Sequence, residues 1–450
     1  MHDLVLDLAR LVLVDEFIMG VNEQSNSDRR SCRYALCNDC SKKLESHTDY
    51  PTKIRALRFL DCGRIELHKD AFSSAKYLRV LDLSECIIQR LPDSIGQLKQ
   101  LRYLNAPWVQ HHMIPNCITK LFKLTYLSLC GSSALMALPD SIGHMESLMH
   151  LNLSGCSGLE ELPESFGKLK QLVHLDLSNC SNLTVVVESL QTLTNLEYLD
   201  LSYSWNIREL SGHLGSFMKL KHLNLSGCRE IEDFSRSFGN LKSLMHLDLS
   251  HCDQVKGLPE ALGSLTKLQY LNLSHCGCIG GNEMAEALGN LTTLRHLYLS
   301  GFLDTTCDDE STIFTFLECI STLSNLEHLD LSCNKLYHIP ECFGSLSKLC
   351  TLDLSSCSGS VPENMVQMDS LKVVYAKNGY LTVPYFELPL GDTNGGSLSL
   401  FQSAKVFDVK ICGFEKVKSV EVKRVKLFRN ELKHLTLEWV CCHRVVENDK

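Results

Sequence analysis

The chain has 450 residues, 44% hydrophobic and 22% charged, with 44 Lys+Arg against 53 Asp+Glu and a formal net charge of −9. Such a composition supplies a large core, and its acidic balance excludes a generic phosphate-backbone binder, which carries a basic surplus. No stretch is long and apolar enough to span a membrane.

Residues 1–20 begin with an expected amphipathic helix over 1–14, in which Leu4, Leu8, Leu11 and Val12 share one face. Asp3, Asp7, Arg10 and Asp15 interrupt the run, so it lacks the basic-then-apolar layout of a signal peptide. No lipidation or retention tail closes the chain, and the expected location is cytoplasmic. Residues 21–50 read as a linker, with a polar loop from Ser25 to Arg33. Cys37-x-x-Cys40, near Cys32 and His47, lacks a complete ligand set and a paired second knuckle. No metal site is expected there.

Residues 51–390 are dominated by the unit L-x-x-L-x-L-x-x-C. Its first apolar position recurs at 54, 78, 101, 124, 148, 172, 196, 220, 244, 268, 294, 326, 349 and 371, with a constant step of 24 between 124 and 268. Length alone would suggest about three domains, but a repeat array overrides that expectation. Alternation around L-x-L makes a short strand with its leucines on one side. One unit cannot bury that face alone, so successive strands must stack in parallel, about 4.8 Å apart. Many units continue as L-P-x-x-I-G-x-L, as at Leu91–Gly96 and Leu258–Gly263. Here the proline is expected to start a helical or 3-10 turn and the glycine to end it. The fold expected is an α/β leucine-rich-repeat solenoid: a horseshoe with a parallel concave sheet and short convex turns, plus the short N-terminal helix. Eight of the 22 cysteines (Cys62, Cys86, Cys156, Cys180, Cys228, Cys252, Cys276 and Cys357) fall at the ninth position of the unit. They are expected to be small buried apolar groups in a reducing compartment.

The positions between the leucines face out of the sheet. The third reads Tyr103, Tyr126, His150, His174, Tyr198, His222, His246, Tyr270, His296 and His328. The fifth is mostly Asp or Asn and the seventh mostly Ser. One reading is a ligand surface of aromatic and imidazole anchors beside a polar stripe. The other is a same-face ladder, in which rings stack and Asp and Asn hydrogen-bond across strands. Irregular positions are better binding candidates: Trp108, and the second-position charges Arg79, Arg102, Glu197, Lys221, Arg295 and Glu327. Flat neighbours such as His150 and His174 diverge rather than close on a zinc ion. Asp176 and Asp200 have neither pocket nor nucleophile beside them, and no catalytic constellation is recognisable. Neither catalysis nor a cofactor is expected.

The step from 294 to 326 carries an insertion, Phe302 to Phe314, with Asp308, Asp309 and Glu310 together. It is expected to be an acidic surface loop, available for a partner-specific contact. Residues 391–450 begin with a Gly- and Ser-rich loop, continue through the basic stretch Lys416 to Lys433, and end in a further irregular repeat near Trp439. Both ends lack the polar caps of a solenoid and read as cut from a longer chain.

Met1-His2-Asp3-Leu4-Val5 with Asp7-Leu8-Ala9, then I-R-A-L-R-F-L at 54–60, then the L-P-x-x-I-G-x-L units follow in one order. This order resembles the C-terminal part of plant intracellular NLR (NB-ARC leucine-rich-repeat) disease-resistance proteins, from their MHD motif onward. Val409 to Trp439, with Gly413-Phe414-Glu415, resembles their later repeats. The resemblance implies a repeat domain that senses a pathogen effector or a host protein and restrains a nucleotide-binding module by intramolecular contact. It places His2 where the family's motif histidine meets ADP phosphates. No G-x-x-x-x-G-K-[ST] loop is present, so nucleotide binding is not carried over. A free-standing repeat adaptor or truncated receptor fragment is the alternative. A cell-surface ectodomain is favoured only by sequons such as Asn152-Leu-Ser and Asn290-Leu-Thr. The expected partner is a protein on the concave face, not nucleic acid or membrane.

Overall fold

Leucines spaced as L-x-L extend the backbone for three residues and turn their side chains to one side. In the computed structural model these strands form the walls of two units, Met1–Ile231 and Glu232–Lys450. The structure describes residues 33–38, 53–184, 190–207, 214–231, 236–252, 257–276, 281–303, 309–360, most of 362–371, and the strands at 373–375, 380–382, 408–412 and 434–438. The expected helix over 1–14, His2, Cys40, His47 and the Lys416 to Lys433 stretch lie outside the described residues. Among the described residues, no helix is long and apolar enough to cross a membrane.

In the first unit the wall runs in chain order through Tyr34–Asn38, Ala56–Leu60, Val80–Asp82, Tyr103–Asn105, Tyr126–Ser128, His150–Asn152, His174–Asp176, Tyr198–Asp200 and His222–Asn224. Each strand is parallel to the next. The second unit's wall runs through His246–Asp248, Tyr270–Asn272, His296–Tyr298, His328–Asp330, Thr351–Asp353, Val373–Tyr375, Asp408–Cys412 and His434–Glu438 in the same way. The register sets leucine on leucine, as in Leu151↔Leu175 and Leu271↔Leu297. These side chains are fully buried or nearly so.

The expected linker 21–50 contains a strand. Arg55 and Ala56 donate their N–H groups to the Arg33 carbonyl (2.7 and 3.2 Å), as Arg79 and Val80 do to that of Arg55. Tyr34–Asn38 thus adds a repeat-like edge although no leucine signature marks it. The backbone groups of Ala56–Leu60, which would otherwise lie open at an edge, are paired.

The ninth-position column is more than apolar filling. Cys86, Cys156, Cys180, Cys228, Cys252, Cys276 and Cys357 are buried free thiols. Several donate Sγ–H to the leucine carbonyl of the preceding repeat: Cys228 to Leu201 at 3.1 Å, Cys276 to Leu249 at 2.9 Å and Cys357 to Leu331 at 2.9 Å. Where the repeat carries Ser or Asn, the same bond persists, from Ser204 Oγ to Leu177 (2.8 Å) and from Asn334 Nδ2 to Leu299 (2.9 Å). The position therefore selects a small donor for a buried carbonyl that water cannot reach. Burial pushes the Cys228 thiol up to about 12, so it stays protonated and unreactive. Cys62 departs from the expected set of thiols, because it is disulfide-bonded.

The wall opposite the strands carries the turns. Pro92, Pro115, Pro163 and Pro340 sit in extended conformation just before 3-10 turns that start at Asp93, Asn116, Glu164 and Glu341. Gly263 ends the Leu258–Leu262 helix as expected, but in the 3-10 turns the glycine does not come last. Gly96 lies inside its turn, and a Cβ there would come within 2.6 Å of the Cys117 carbonyl of the next repeat. At Gly143 a Cβ would collide with the Ser165 carbonyl. Glycine at 96 and 143 avoids these clashes, whereas the equivalent Thr119 is accommodated, buried and hydrogen-bonded with the Ser141 hydroxyl at 3.1 Å.

The insertion is not simply an acidic loop. Phe302 and Leu303 are buried, residues 304–308 lie outside the described residues, and Glu310–Ser321 is a helix. Asp309 caps it, accepting from the Thr312 N–H at 2.7 Å. Ile313, Phe316, Leu317 and Ile320 recur at helical spacing and are buried, with the Phe316 ring 5.8 Å from that of Phe302. The added residues thus lengthen a core-facing element.

The donor requirement makes a sharp expectation. Cys228→Ser retains the bond to Leu201 and should shift stability by less than about 1 kcal/mol. Cys228→Val leaves that buried carbonyl unpaired and should cost about 1–3 kcal/mol. Urea unfolding of both variants against the parent checks the order.

Candidate functional site

Because side chains alternate along a strand, the third and fifth residues of each repeat stand on the outer face of the wall. Parallel pairing in register then lines up like with like. In the first unit the rings of Tyr103 and Tyr126 stack at 4.4 Å, His174 meets Tyr198 at 3.9 Å, and Tyr198 stacks on His222 at 4.3 Å. Tyr126, His150 and His174 are looser, at 6.2 and 5.6 Å. In the second unit His246 stacks on Tyr270 at 3.8 Å and His296 on His328 at 4.5 Å.

This stacking changes the environment of the column. The rings are half-buried by one another, and Tyr103 is buried outright, so the third position is not freely presented to solvent. Burial, and secondarily the neighbouring His150, push the His174 imidazole down to about 4. Burial also lowers His150, whose Nδ1 has no hydrogen-bond partner. Burial raises the hydroxyl of Tyr198, as do the nearby Asp200 and Asp176 carboxylates. At neutral pH His150, His174 and Tyr198 are therefore uncharged aromatic groups.

The polar stripe is largely occupied within the chain. Asp176 Oδ1 accepts from the Ser178 N–H (3.0 Å) and hydroxyl (2.7 Å), and Asp200 and Ser202 repeat this at 2.9 and 2.6 Å. Across strands, Asn105 donates to Asp82, Asn224 to Asp200 and Asn272 to Asp248, each at 3.1 Å. Fifth and seventh positions thus close the strand end and stitch neighbours together. Burial holds the Asp176 carboxyl above its usual range against those hydrogen bonds.

At the second position Arg102 is exposed. Lys221 is also exposed, but it pairs with Glu197 at 2.8 Å. Arg295 lies 3.6 Å from Glu327. Among the described residues, one group of three possible metal donors comes together, His296, Glu327 and His328, within 4.8 Å of one another. His296 and His328 share the third column, and Glu327 is the second-position residue beside His328. Pairing of the two strands in register brings His296 beside His328 and its neighbour Glu327.

Trp108 belongs to a further column that the sequence reading missed. Its backbone is left-handed (φ 57°), as are Tyr203 (57°), His251 (60°) and His275 (56°), all at the eighth position of the repeat. Gly131, Gly155, Gly227 and Gly301 take the same conformation at that position. The cause is a fixed hydrogen bond from the eighth N–H to the seventh carbonyl of the next repeat. Trp108 donates to Cys130 at 2.9 Å and Tyr203 to Ser226 at 2.7 Å. Bulky L-residues avoid this conformation, at a cost of roughly 1–2 kcal/mol each. Three of these rings lie over a glycine of the following repeat, Trp108 over Gly131, Tyr203 over Gly227 and His275 over Gly301, whereas His251 stacks on His275 at 4.9 Å. Trp108 is 49% exposed, Tyr203 43% and the nearby Trp205 53%. The signal was present in the sequence: Trp108, Tyr203 and His275 at the eighth position are each answered by glycine one unit later.

Comparison with known proteins agrees with this architecture. A family model described as a leucine-rich repeat region matches residues 108–197 and 175–338, together just over half of the chain. A second, described as a leucine-rich repeat, matches 77–98. The probable disease resistance proteins RF45 and RDL5 of Arabidopsis thaliana are each 27% identical over 148 residues, 31% of this chain. That match spans 14% of their length. Among solved structures, a Leptospira interrogans leucine-rich-repeat protein has a TM-score of 0.55 at 23% identity, covering 76% of this chain and 90% of its own. A TDR receptor has a TM-score of 0.55 at 20% identity, covering 80% and 61%.

Two outcomes follow from the geometry. Unfolded, His174 takes a proton near 6.5; folded, it does so only near 4. The unfolded chain therefore binds more protons between these values, and stability rises with pH across that window. His174→Gln should flatten this dependence, as read from urea midpoints at pH 7 and pH 5. Gly227→Val adds a side chain at φ 70° whose Cβ would lie 2.7 Å from the Tyr203 ring. It should cost at least about 1–2 kcal/mol, measured by the same unfolding experiment.

Proposed function

This chain belongs to the leucine-rich-repeat family, and on that premise we propose that it is a protein-recognition module, the sensing repeat domain of an intracellular plant immune receptor. Repeats of this family are typically non-catalytic. The observation that carries the recognition reading is the exposed set Trp108, Tyr203 and Trp205. Two of these sit at backbone positions where glycine serves elsewhere at lower cost. Large aromatic residues held against their conformational preference on an exposed rim suit contact with a protein partner.

The immune role is supported by the likeness to the Arabidopsis disease resistance proteins and by the L-P-x-x-I-G turns. In this reading the partner is a pathogen effector or a host protein, bound on the outer face of the strand wall and the adjoining rim. The chain acts in the cytoplasm and contacts a nucleotide-binding module encoded with it. Tyr103, Tyr126, His150, His174, Tyr198 and His222 supply a floor of rings on the first unit, and His246, Tyr270, His296 and His328 supply one on the second. Arg102 and Lys221 supply the selective charges around the first.

Photo-crosslinkers placed at Arg102 and Trp205 of the full chain should capture the same host or effector protein, whereas one at exposed Lys168 among the turns should not. Lys221→Glu and Arg102→Glu should reduce that capture at least tenfold while leaving the circular dichroism spectrum unchanged. Equal capture from both walls, or capture indifferent to both substitutions, overturns the recognition reading. Sequencing the transcript upstream tests the receptor reading separately: an in-frame phosphate-loop module supports it, and a stop codon directly before Met1 removes it.

A further inference from the structure

The histidines of the third column differ in how tightly they are held. His174, Tyr198 and His222 form a close run at 3.9 and 4.3 Å. His296 and His328 stack at 4.5 Å, 8° from parallel, in register on adjacent strands. Beyond them the column loosens on both sides. Tyr270 stands 6.2 Å from His296 and leans toward Tyr298 at 5.1 Å. On the far side the next repeat places Thr351, which has no ring, in register with His328. Each imidazole is therefore closely stacked by a ring on one side only.

A carboxylate completes the set. One donor atom from each of His296, Glu327 and His328 lies within 4.8 Å of the others, and all three residues are half-buried. No other column histidine has this arrangement, because the second-position residues before His150, His174, His222 and His246 are Met149, Val173, Lys221 and Met245. Glu197, before Tyr198, is engaged by Lys221 at 2.8 Å. Glu327 is held more loosely, since Arg295 lies 3.6 Å away, beyond hydrogen-bond distance, on a side chain that is 54% exposed.

We propose that His296, Glu327 and His328 form a binding site for a divalent transition cation, of which Zn2+ fits the donor set best. Two imidazole nitrogens and one carboxylate oxygen provide three of four tetrahedral ligands, and water fills the fourth. Imidazole donors favour Zn2+, Co2+ or Ni2+ over Mg2+ or Ca2+. Bonds of about 2.0–2.2 Å require donors roughly 3.3 Å apart. The three groups must therefore draw in by up to about 1.5 Å, a movement on the scale of side-chain rotation. The Glu327 charge offsets part of the cation's charge, and Arg295 opposes binding until it swings toward solvent.

Co2+ titrated into the full chain is the direct probe, because its visible absorption reports tetrahedral binding and a near-ultraviolet charge-transfer band would betray thiolate ligands. One equivalent is expected to bind with visible absorption and without the sulfur band, and Zn2+ is expected to displace it. His328→Ala and His296→Ala should each lose that equivalent, Glu327→Gln should weaken it at least tenfold, and Arg295→Gln should tighten it. His174→Ala, which alters the same column away from these three residues, should retain it. Near-ultraviolet circular dichroism establishes that each variant is folded. The site is overturned if no such equivalent binds, if folded His328→Ala binds as the parent does, or if His174→Ala loses the equivalent as well.

Discussion

No repeat in this chain can bury its own leucines. A strand of three residues has two open edges and one apolar face, and only a neighbour in register covers them. Leu151 on Leu175 and Leu271 on Leu297 are therefore the contacts on which everything else depends. Once leucine must sit on leucine, each repeat is translated onto the next. Every other position then meets its own counterpart, and turns, caps and surface columns inherit that spacing.

The inheritance explains features that would look unrelated one at a time. The leucine carbonyl after each strand points inward, so the next repeat must offer a small donor, whether Cys228, Ser204 or Asn334. The turns stack so tightly that Gly96 and Gly143 cannot carry a side chain. The eighth N–H must reach the next repeat, which forces a left-handed backbone even on Trp108 and Tyr203. Outside the wall the same spacing brings aromatic rings into contact and removes His174 from the physiological titration range. The surface is thus built largely by the demands of the core. Binding character enters where a repeat departs from its neighbours: an aromatic residue where others have glycine, a carboxylate beside paired histidines, a helix in place of a short turn.

Much of this was legible in the sequence because the repeat samples the same environment many times. A single leucine says little, but leucine at one register over many units identifies a buried face. The ring column and the Asp/Asn ladder were legible for the same reason. Three misreadings have physical causes. The cysteines read as apolar because their role as donors depends on a carbonyl in another repeat. The insertion read as a loop because its acidic residues precede the helix they cap and introduce, while Ile313, Phe316, Leu317 and Ile320 show helical spacing only past that point. Tyr34–Asn38 read as linker because its pairing partner, not its own leucines, makes it a strand.

The sequence by itself determined the fold class, the step of the repeat and the side each column faces, since those follow from period and from the need to bury leucine. Tertiary structure decided what the columns are chemically. Whether a histidine is neutral, a carboxylate free or a glycine obligatory depends on distances between residues some 24 positions apart, and stacking alone sets those distances. The meeting of Glu327 with His296 and His328 is of that kind. Neither spacing nor composition marks those residues as a group; the pairing of adjacent strands in register makes them one.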